Sequence, residues 1–109
     1  MNFDDYQRIA HKTAVFPKLG KSFVYPTLGL AGEAGEVSEK VKKIFRDKKG
    51  RLSKETREEI KKELGDVLWY LSQIAYEMKI SFQDIAKSNI QKLSSRNKRG
   101  TIRGDGDNR

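Results

Sequence analysis

Four carboxylates are written into this chain as two copies of one pattern. Glu33-Ala34-Gly35-Glu36-Val37 recurs as Glu63-Leu64-Gly65-Asp66-Val67. Side chains three apart on an α-helix project from one face, so each copy offers two oxygen donors side by side. Two such pairs on neighbouring helices place four carboxylates together, the donor set that a hard divalent cation requires. Without a cation the arrangement is costly, because like charges at a half-buried site repel and lose hydration. It also runs against the composition, in which 23 Lys and Arg outweigh 15 Asp and Glu for a formal net charge of +8.

Helical geometry decides whether the pairs can meet. At roughly 100° per residue, with Glu33 at zero, Ala34, Val37, Val41 and Ile44 fall between about 20° and 100° as an apolar stripe. Glu36 falls at about −60° and Lys40 at about −20°. With Glu63 at zero, Ile60, Leu64, Val67, Leu71, Ile74 and Met78 fill the same arc, Asp66 lies at about −60° and Tyr70 at about −20°. A short turn makes the two helices antiparallel neighbours. The local two-fold axis relating their stripes brings the acidic flanks to the same side, so Glu33, Glu36, Glu63 and Asp66 are expected to converge beside the core. Gly35 and Gly65 also share an offset. A glycine inside a helix costs roughly 1 kcal/mol relative to alanine; it is either tolerated or marks close approach by another helix or subunit.

The elements that position these groups are four helices. The first is expected over about Phe3 to Thr13, capped by Asn2 with Asp4 and Asp5 in its first turn. Pro17 and Gly20 mark residues 16–25 as a loop. Pro26 suits the first turn of a second helix reaching about Arg46, and Asp47-Lys48-Lys49-Gly50 reads as a turn. Ser53 can cap a third helix from about Lys54 to Met78. Ser81-Phe82-Gln83-Asp84 has capping-box spacing and opens a fourth helix to about Asn97. That helix carries Asn89, Lys92 and Arg96 within about 60° of one another, an amide and two cations suited to phosphate oxygens. No strand pattern stands out, and the fold class is all-α. Residues 1–100 form the helical domain and 101–109 a glycine-rich basic tail, which either folds over a ligand or is a loose end.

Composition narrows the chemistry. At 109 residues there is room for one domain. With no cysteine there are no disulfides or thiolate metal sites. His11 is the single histidine, which excludes a di-iron site built from two E-x-x-H motifs and a multi-histidine zinc centre. No apolar run approaches the ~20 residues of a membrane span, and the acidic N-terminus is no signal peptide, so a cytoplasmic protein is expected. A pI near 9.8 suggests a polyanionic partner. The basic residues concentrate at 40–51 and again at Arg96, Lys98, Arg99 and Arg103.

Gly32-Glu33-x-Gly35-Glu36, followed by Glu63-Leu64-Gly65-Asp66-Val67-Leu68-x-Tyr70, resembles the MazG-like nucleotide pyrophosphohydrolases of the all-α nucleoside triphosphate pyrophosphatase superfamily. Asn89-x-x-Lys92-Leu93-x-x-Arg96-x-x-Arg99-Gly100 looks like that family's last helix. The resemblance spans about residues 27–100. It implies a four-helix fold completed by oligomerisation into homodimers or homotetramers. It also implies hydrolysis of a (deoxy)nucleoside triphosphate to monophosphate and pyrophosphate, and Mg²⁺, with Mn²⁺ as a substitute. Carried over, Glu33, Glu36, Glu63 and Asp66 are the metal ligands, and water attacks the α-phosphorus.

Other roles stay open at this stage. Glu36 or Glu39 could accept the water's proton. Lys40 could meet a phosphate or pair with Glu36, and Tyr70 could pack on a sugar or base. Lys92 and Arg96 are assigned to phosphate and Asn89 to a polar or ribose contact. Trp69 points away from the stripe and could bury at a subunit interface, while Phe16, Phe23 and Tyr25 suit packing more than base stacking. The rival readings are a basic nucleic-acid-binding module, disfavoured by the acids, and a purely structural oligomerisation domain.

Overall fold

The computed structural model describes all of residues 1–109, and every regular element in it is an α-helix: α1 (Phe3–His11), α2 (Val24–Asp47), α3 (Lys54–Glu77) and α4 (Phe82–Arg99). The fold is therefore all-α. None of these helices is long and apolar enough to cross a membrane.

Local chemistry explains most of the boundaries. Asn2 and Asp5 form a reciprocal capping box, with Asp5 N–H donating to Asn2 at 2.8 Å and Asn2 N–H to Asp5 at 3.1 Å. α2 begins two residues ahead of Pro26, which is harmless because first-turn amides have no partner inside the helix. Lys49 and Gly50 both adopt positive φ and reverse the chain toward α3. Ser53 caps α3, accepting from Thr56 N–H at 3.1 Å, and Lys48 Nζ ties the turn to the buried Thr56 hydroxyl at 2.6 Å. The end of α3 is a Schellman turn: Ile80 N–H bonds Ala75 O and Lys79 N–H bonds Tyr76 O. Lys79, not a glycine, takes the left-handed position with φ of 60°.

The start of α4 departs from the expected capping box. Ser81 does accept from Asp84 N–H at 3.0 Å, but the reciprocal partner is Asp4 of α1, which accepts from the Ser81 hydroxyl at 2.8 Å and from Gln83 N–H at 3.0 Å. In return Gln83 accepts from Phe3 N–H at 3.0 Å. Each helix thus satisfies an orphan amide of the other. These donors, Gln83 N–H first and the Ser81 hydroxyl next, hold the Asp4 carboxyl below the usual range.

α2 and α3 form an antiparallel hairpin, α1 lies on α3, and α4 packs on α1 and marginally on α3 without reaching α2. A polar seam joins the first, third and fourth helices. Gln7 donates to the carbonyls of Ser72 and Ile80 and accepts from Phe82 N–H, while Gln73, fully buried, meets His11 Nδ1 at 2.9 Å. No buried side-chain polar atom lacks a partner. His11 is structural here, stacked on Tyr76 with 3.4 Å between centroids.

The result is an open frame, not a closed bundle. The radius of gyration is 16.9 Å, against about 13 Å for a compact chain of this size. The buried hydrophobic core is small: Ala10, Ile44, Ala75 and Phe82. Residues of the expected apolar stripes stay wet, Leu64 at 53% exposed among them, and so does Ile90 of α4 at 65%. The physical reason is the missing second layer, since α4 leaves one side of the α2–α3 hairpin uncovered.

Candidate active site

The hairpin brings three of the four repeat carboxylates together. Donor oxygens of Glu33, Glu63 and Asp66 all lie within 4.8 Å of one another, with both glutamates half-buried and Asp66 exposed. The Glu33 carboxyl is pushed above its ordinary range, first by burial, then by the charges of Asp66 and Glu63 and by a hydrogen bond shared with Glu63. Glu36 is exposed one turn along α2. Its charge contributes a smaller push on Glu33, but it stands outside the convergent set.

Glu39 belongs to a different network. It pairs with Lys42 at 2.8 Å and Lys43 at 3.8 Å on its own helix. The hydrogen bond from Lys42 is the main reason its carboxyl titrates low. Lys40 crosses to α3 instead of pairing with Glu36, lying 3.6 Å from Glu59 and 4.0 Å from Glu63. It therefore places one positive charge at the edge of the acids.

Tyr70 closes the other edge. Its ring lies against the backbone of α2 at Gly29, so tightly that a Cβ there would overlap the ring. Burial raises the Tyr70 phenol pKa most, followed by Tyr25 and then the charges of Glu33 and Asp66. Behind it stands an aromatic group: Trp69 is edge-on to Tyr70 and to Phe16, Phe16 stacks on Tyr25, and Trp69 Nε1 donates to Thr13 at 3.0 Å. Trp69 and Phe16 are thus packed within the chain. By contrast, nothing lies within 4 Å of a Cβ built on Gly35 or Gly65. The close approach occurs at Gly29.

Sequence reasoning missed two residues of this site. Gly29 lies at about −40° on the same wheel, on the acidic flank, and a glycine on that flank was the available signal. Tyr6 of α1 is the other: burial and then the Asp66 charge raise its phenol pKa. Nothing in the spacing of α1 announces that influence.

α4, which carries the residues assigned to phosphate, packs marginally on α3 and does not reach α2, the helix of Glu33 and Glu36. Asn89 is exposed on α4. Lys92 and Arg96 both meet Asp107 in the tail, at 2.8 Å and 3.1 Å. Much of the 40–51 basic run is paired: Lys42 and Lys43 with Glu39, Arg46 with Asp47, and Lys40 with Glu59.

Comparison with known sequences follows this geometry. The profile of the MazG nucleotide pyrophosphohydrolase domain matches residues 26–101, more than half of the chain. The chain belongs to the MazG family. The match begins at Pro26, inside the first turn of α2, and takes in the rest of α2 with α3 and α4. A relative, the Gene 37 protein of Mycobacterium phage L5, is 45% identical over 114 aligned positions, which cover the whole of both proteins. No solved structure matches. Membership of the MazG family supports a hydrolase of the pyrophosphohydrolase type acting on a nucleotide. The family is generally dependent on a divalent metal, and the acidic cluster of this member is a candidate site for one.

Proposed function

We propose that this MazG protein is a cytoplasmic, Mg²⁺-dependent enzyme that hydrolyses (deoxy)nucleoside triphosphates to the monophosphate and pyrophosphate. The observation that carries this reading is the convergence of Glu33, Glu63 and Asp66 within 4.8 Å. The donors are all carboxylate oxygens, the set suited to Mg²⁺ or Mn²⁺. Octahedral Mg²⁺ spans roughly 4 Å between opposite ligands, so a modest contraction fits the three acids to one ion. Bound there, Mg²⁺ would neutralise phosphoryl charge and lower the pKa of a coordinated water.

The chain's own residues divide the remaining work. Glu33, Glu63 and Asp66 supply ligands and Glu36 a fourth from the rim. Glu36 is also the better-placed proton acceptor, since Glu39 is engaged by two lysines. Lys40 stands where it can meet a phosphate oxygen as well as Glu63. Tyr70 offers a ring face to sugar or base. Asn89, Lys92 and Arg96 bind the ribose and phosphate groups at α4. In the net reaction a water oxygen adds to the α-phosphorus, the bond to the β-phosphate bridging oxygen breaks, and pyrophosphate leaves.

We further infer homodimers or homotetramers. The open frame and the wet apolar stripes of α2, α3 and α4 support self-association, because a second copy would provide the missing layer. The pairing of Lys40, Lys42, Lys43 and Arg46 with acids of the chain argues against a nucleic-acid module.

The test is pyrophosphate release from a panel of ordinary and modified nucleoside triphosphates with Mg²⁺, for the natural chain and Glu63→Gln. Release that disappears in the variant supports the enzyme. Inactivity of the natural chain on the entire panel, with salt-sensitive nucleic-acid binding that survives Glu63→Gln, would replace it with the binding module.

A further inference from the structure

The tail beyond α4 is a built loop. Gly100, with φ of 70°, ends the helix, and Thr101 N–H returns to Arg96 O at 2.8 Å. Gly104 and Gly106 take φ of 140° and 84° and turn the chain back. The Arg109 guanidinium then donates to the carbonyls of Thr101 at 3.1 Å, Ile102 at 2.9 Å and Gly106 at 2.7 Å. A Cβ on Gly104 would stand 3.0 Å from the Arg109 side chain. Both the backbone angle and the space therefore favour glycine at that position.

This loop delivers Asp107 to the two cations of α4. Its carboxylate accepts from Lys92 Nζ at 2.8 Å and from Arg96 Nη2 at 3.1 Å, and the same guanidinium also donates to the Asp107 carbonyl. The Arg96 side chain is 6% exposed, whereas Asp107 is 79% exposed. A buried guanidinium and a flexible ammonium thus focus on one point at the surface, and a carboxylate of the same chain fills that point. Its two partners, Lys92 first, hold the Asp107 carboxyl below the ordinary range, so it is an anion at neutral pH.

We propose that Asp107 is an internal stand-in for a phosphate group: Lys92 and Arg96 form an anion seat for the triphosphate, and the tail plugs it until a polyphosphate displaces the carboxylate. The proposal rests on assigning these cations to the substrate's phosphates. The Lys92–Asp107 pair faces solvent, and such a pair is weak and screened. A polyphosphate brings more charge and more acceptor oxygens than one carboxylate, and guanidinium binds phosphate well. The plug therefore tunes affinity without abolishing it. If Asp107 is seated about nine-tenths of the time, the apparent Kd for an anion rises about ten-fold.

The experiment is calorimetric titration of the full chain with inorganic tripolyphosphate in metal-free buffer, where the unneutralised acids repel the probe, and binding at α4 is told from binding at the basic run 40–51 by its loss in Lys92→Gln. Asp107→Asn is expected to bind about five- to ten-fold more tightly. Arg109→Ala, which unfastens the loop without touching the seat, should shift affinity in the same direction. Lys92→Gln should remove binding in both the natural and Asp107→Asn backgrounds; Lys92 serves here because Arg96 is buried. Affinity that is unchanged or weaker in Asp107→Asn would overturn the plug, as would binding indifferent to Lys92→Gln. Pyrophosphate release is measured separately on the same proteins. Its absence from the natural chain would defeat the proposed function, while the plug is judged on affinity alone.

Discussion

The two copies of the acidic repeat occupy equivalent places on an antiparallel pair, yet they end in different chemistry. Lys40 stands seven residues beyond Glu33, and Tyr70 seven beyond Glu63. Each reaches across the hairpin to the residue four before the other copy's first acid: Lys40 to Glu59, and Tyr70 to Gly29. The pseudo-two-fold expected from the helical wheel is therefore present in these contacts. Its two ends, however, are an ion pair and an aromatic ring seated on bare backbone. A similar split affects the second acids, for Asp66 joins the cluster and Glu36 does not. Repetition placed the acids, and divergence gave the site a charged end and an aromatic end.

The sharpest break between the copies comes from the acids themselves. Glu63→Gln or Asp66→Asn keeps side-chain shape but removes a ligand charge, and should lower kcat/KM at least about a hundred-fold, as for lost metal ligation. Glu36→Gln should cost less in Mg²⁺ affinity, measured by activity against metal concentration. Equal losses of metal affinity would show that Glu36 swings in as a full ligand and that the copies are functionally symmetric.

Gly29 provides the second contrast. Gly29→Ala gains up to ~1 kcal/mol of helix propensity but drives a methyl group into the Tyr70 ring, and overpacking costs about 1–3 kcal/mol. With the full propensity gain, the net expectation is destabilisation by up to about 2 kcal/mol in urea unfolding, and a raised KM. Gly35→Ala and Gly65→Ala meet no atom within 4 Å in the chain, so each should be neutral or stabilising by up to ~1 kcal/mol. If either one weakens self-association instead, a partner subunit occupies the space that the single chain leaves open.

These glycines show where sequence reasoning reached its limit. Periodicity gives a direction on a helix, and directions sufficed for the hairpin, its acidic flank and most caps. Partners require a second element, and the wheel is blind to it. Asp4 and Gln83 exchange caps across nearly the whole chain, a contact that no local pattern encodes. The Asp66 charge acts on Tyr6 across elements in the same way. Ile90 and Leu93 on α4 are apolar and partly exposed, and whether such residues find a core depends on the placement of a whole helix. Gly29 was legible in principle, being on the acidic flank, yet its meaning appeared only when Tyr70 stood opposite.

Protonation should also separate the acids. The Glu33 carboxyl is held above its ordinary value of 4.5 by burial and by Asp66 and Glu63. A raised folded-state pKa stabilises the fold below the unfolded value and loses that contribution as pH rises through the folded one. The metal-free protein should therefore lose some thermal stability from about pH 4.5 upward. Asp4, Asp5, Glu39, Asp47 and Asp107 are all shifted down and act below that window. A bound divalent cation needs ionised Glu33, so the rise in Tm on adding Mg²⁺ should grow over the same range. Glu33→Gln should flatten the metal-free slope; a slope that persists would place the titrating group elsewhere.

The smallest effect belongs to the charged end, where direction is more informative than size. The Lys40–Glu59 pair is partly exposed, so Glu59→Gln should change stability by no more than ~0.5 kcal/mol. Lys40 also lies 4.0 Å from Glu63, which gives it opposing effects on the two ligands. Its positive charge repels an incoming Mg²⁺ but attracts a triphosphate. Lys40→Gln should thus tighten metal binding about two-fold while raising KM for the nucleotide a few-fold, because short-range charge interactions at a half-exposed site are worth about 1 kcal/mol or less. A change in which metal and nucleotide affinities fall together would mean that Lys40 merely braces the hairpin. Opposite shifts would set the lysine at the junction of metal and phosphate, the position that Tyr70, its counterpart across the pseudo-two-fold, gives to an aromatic face.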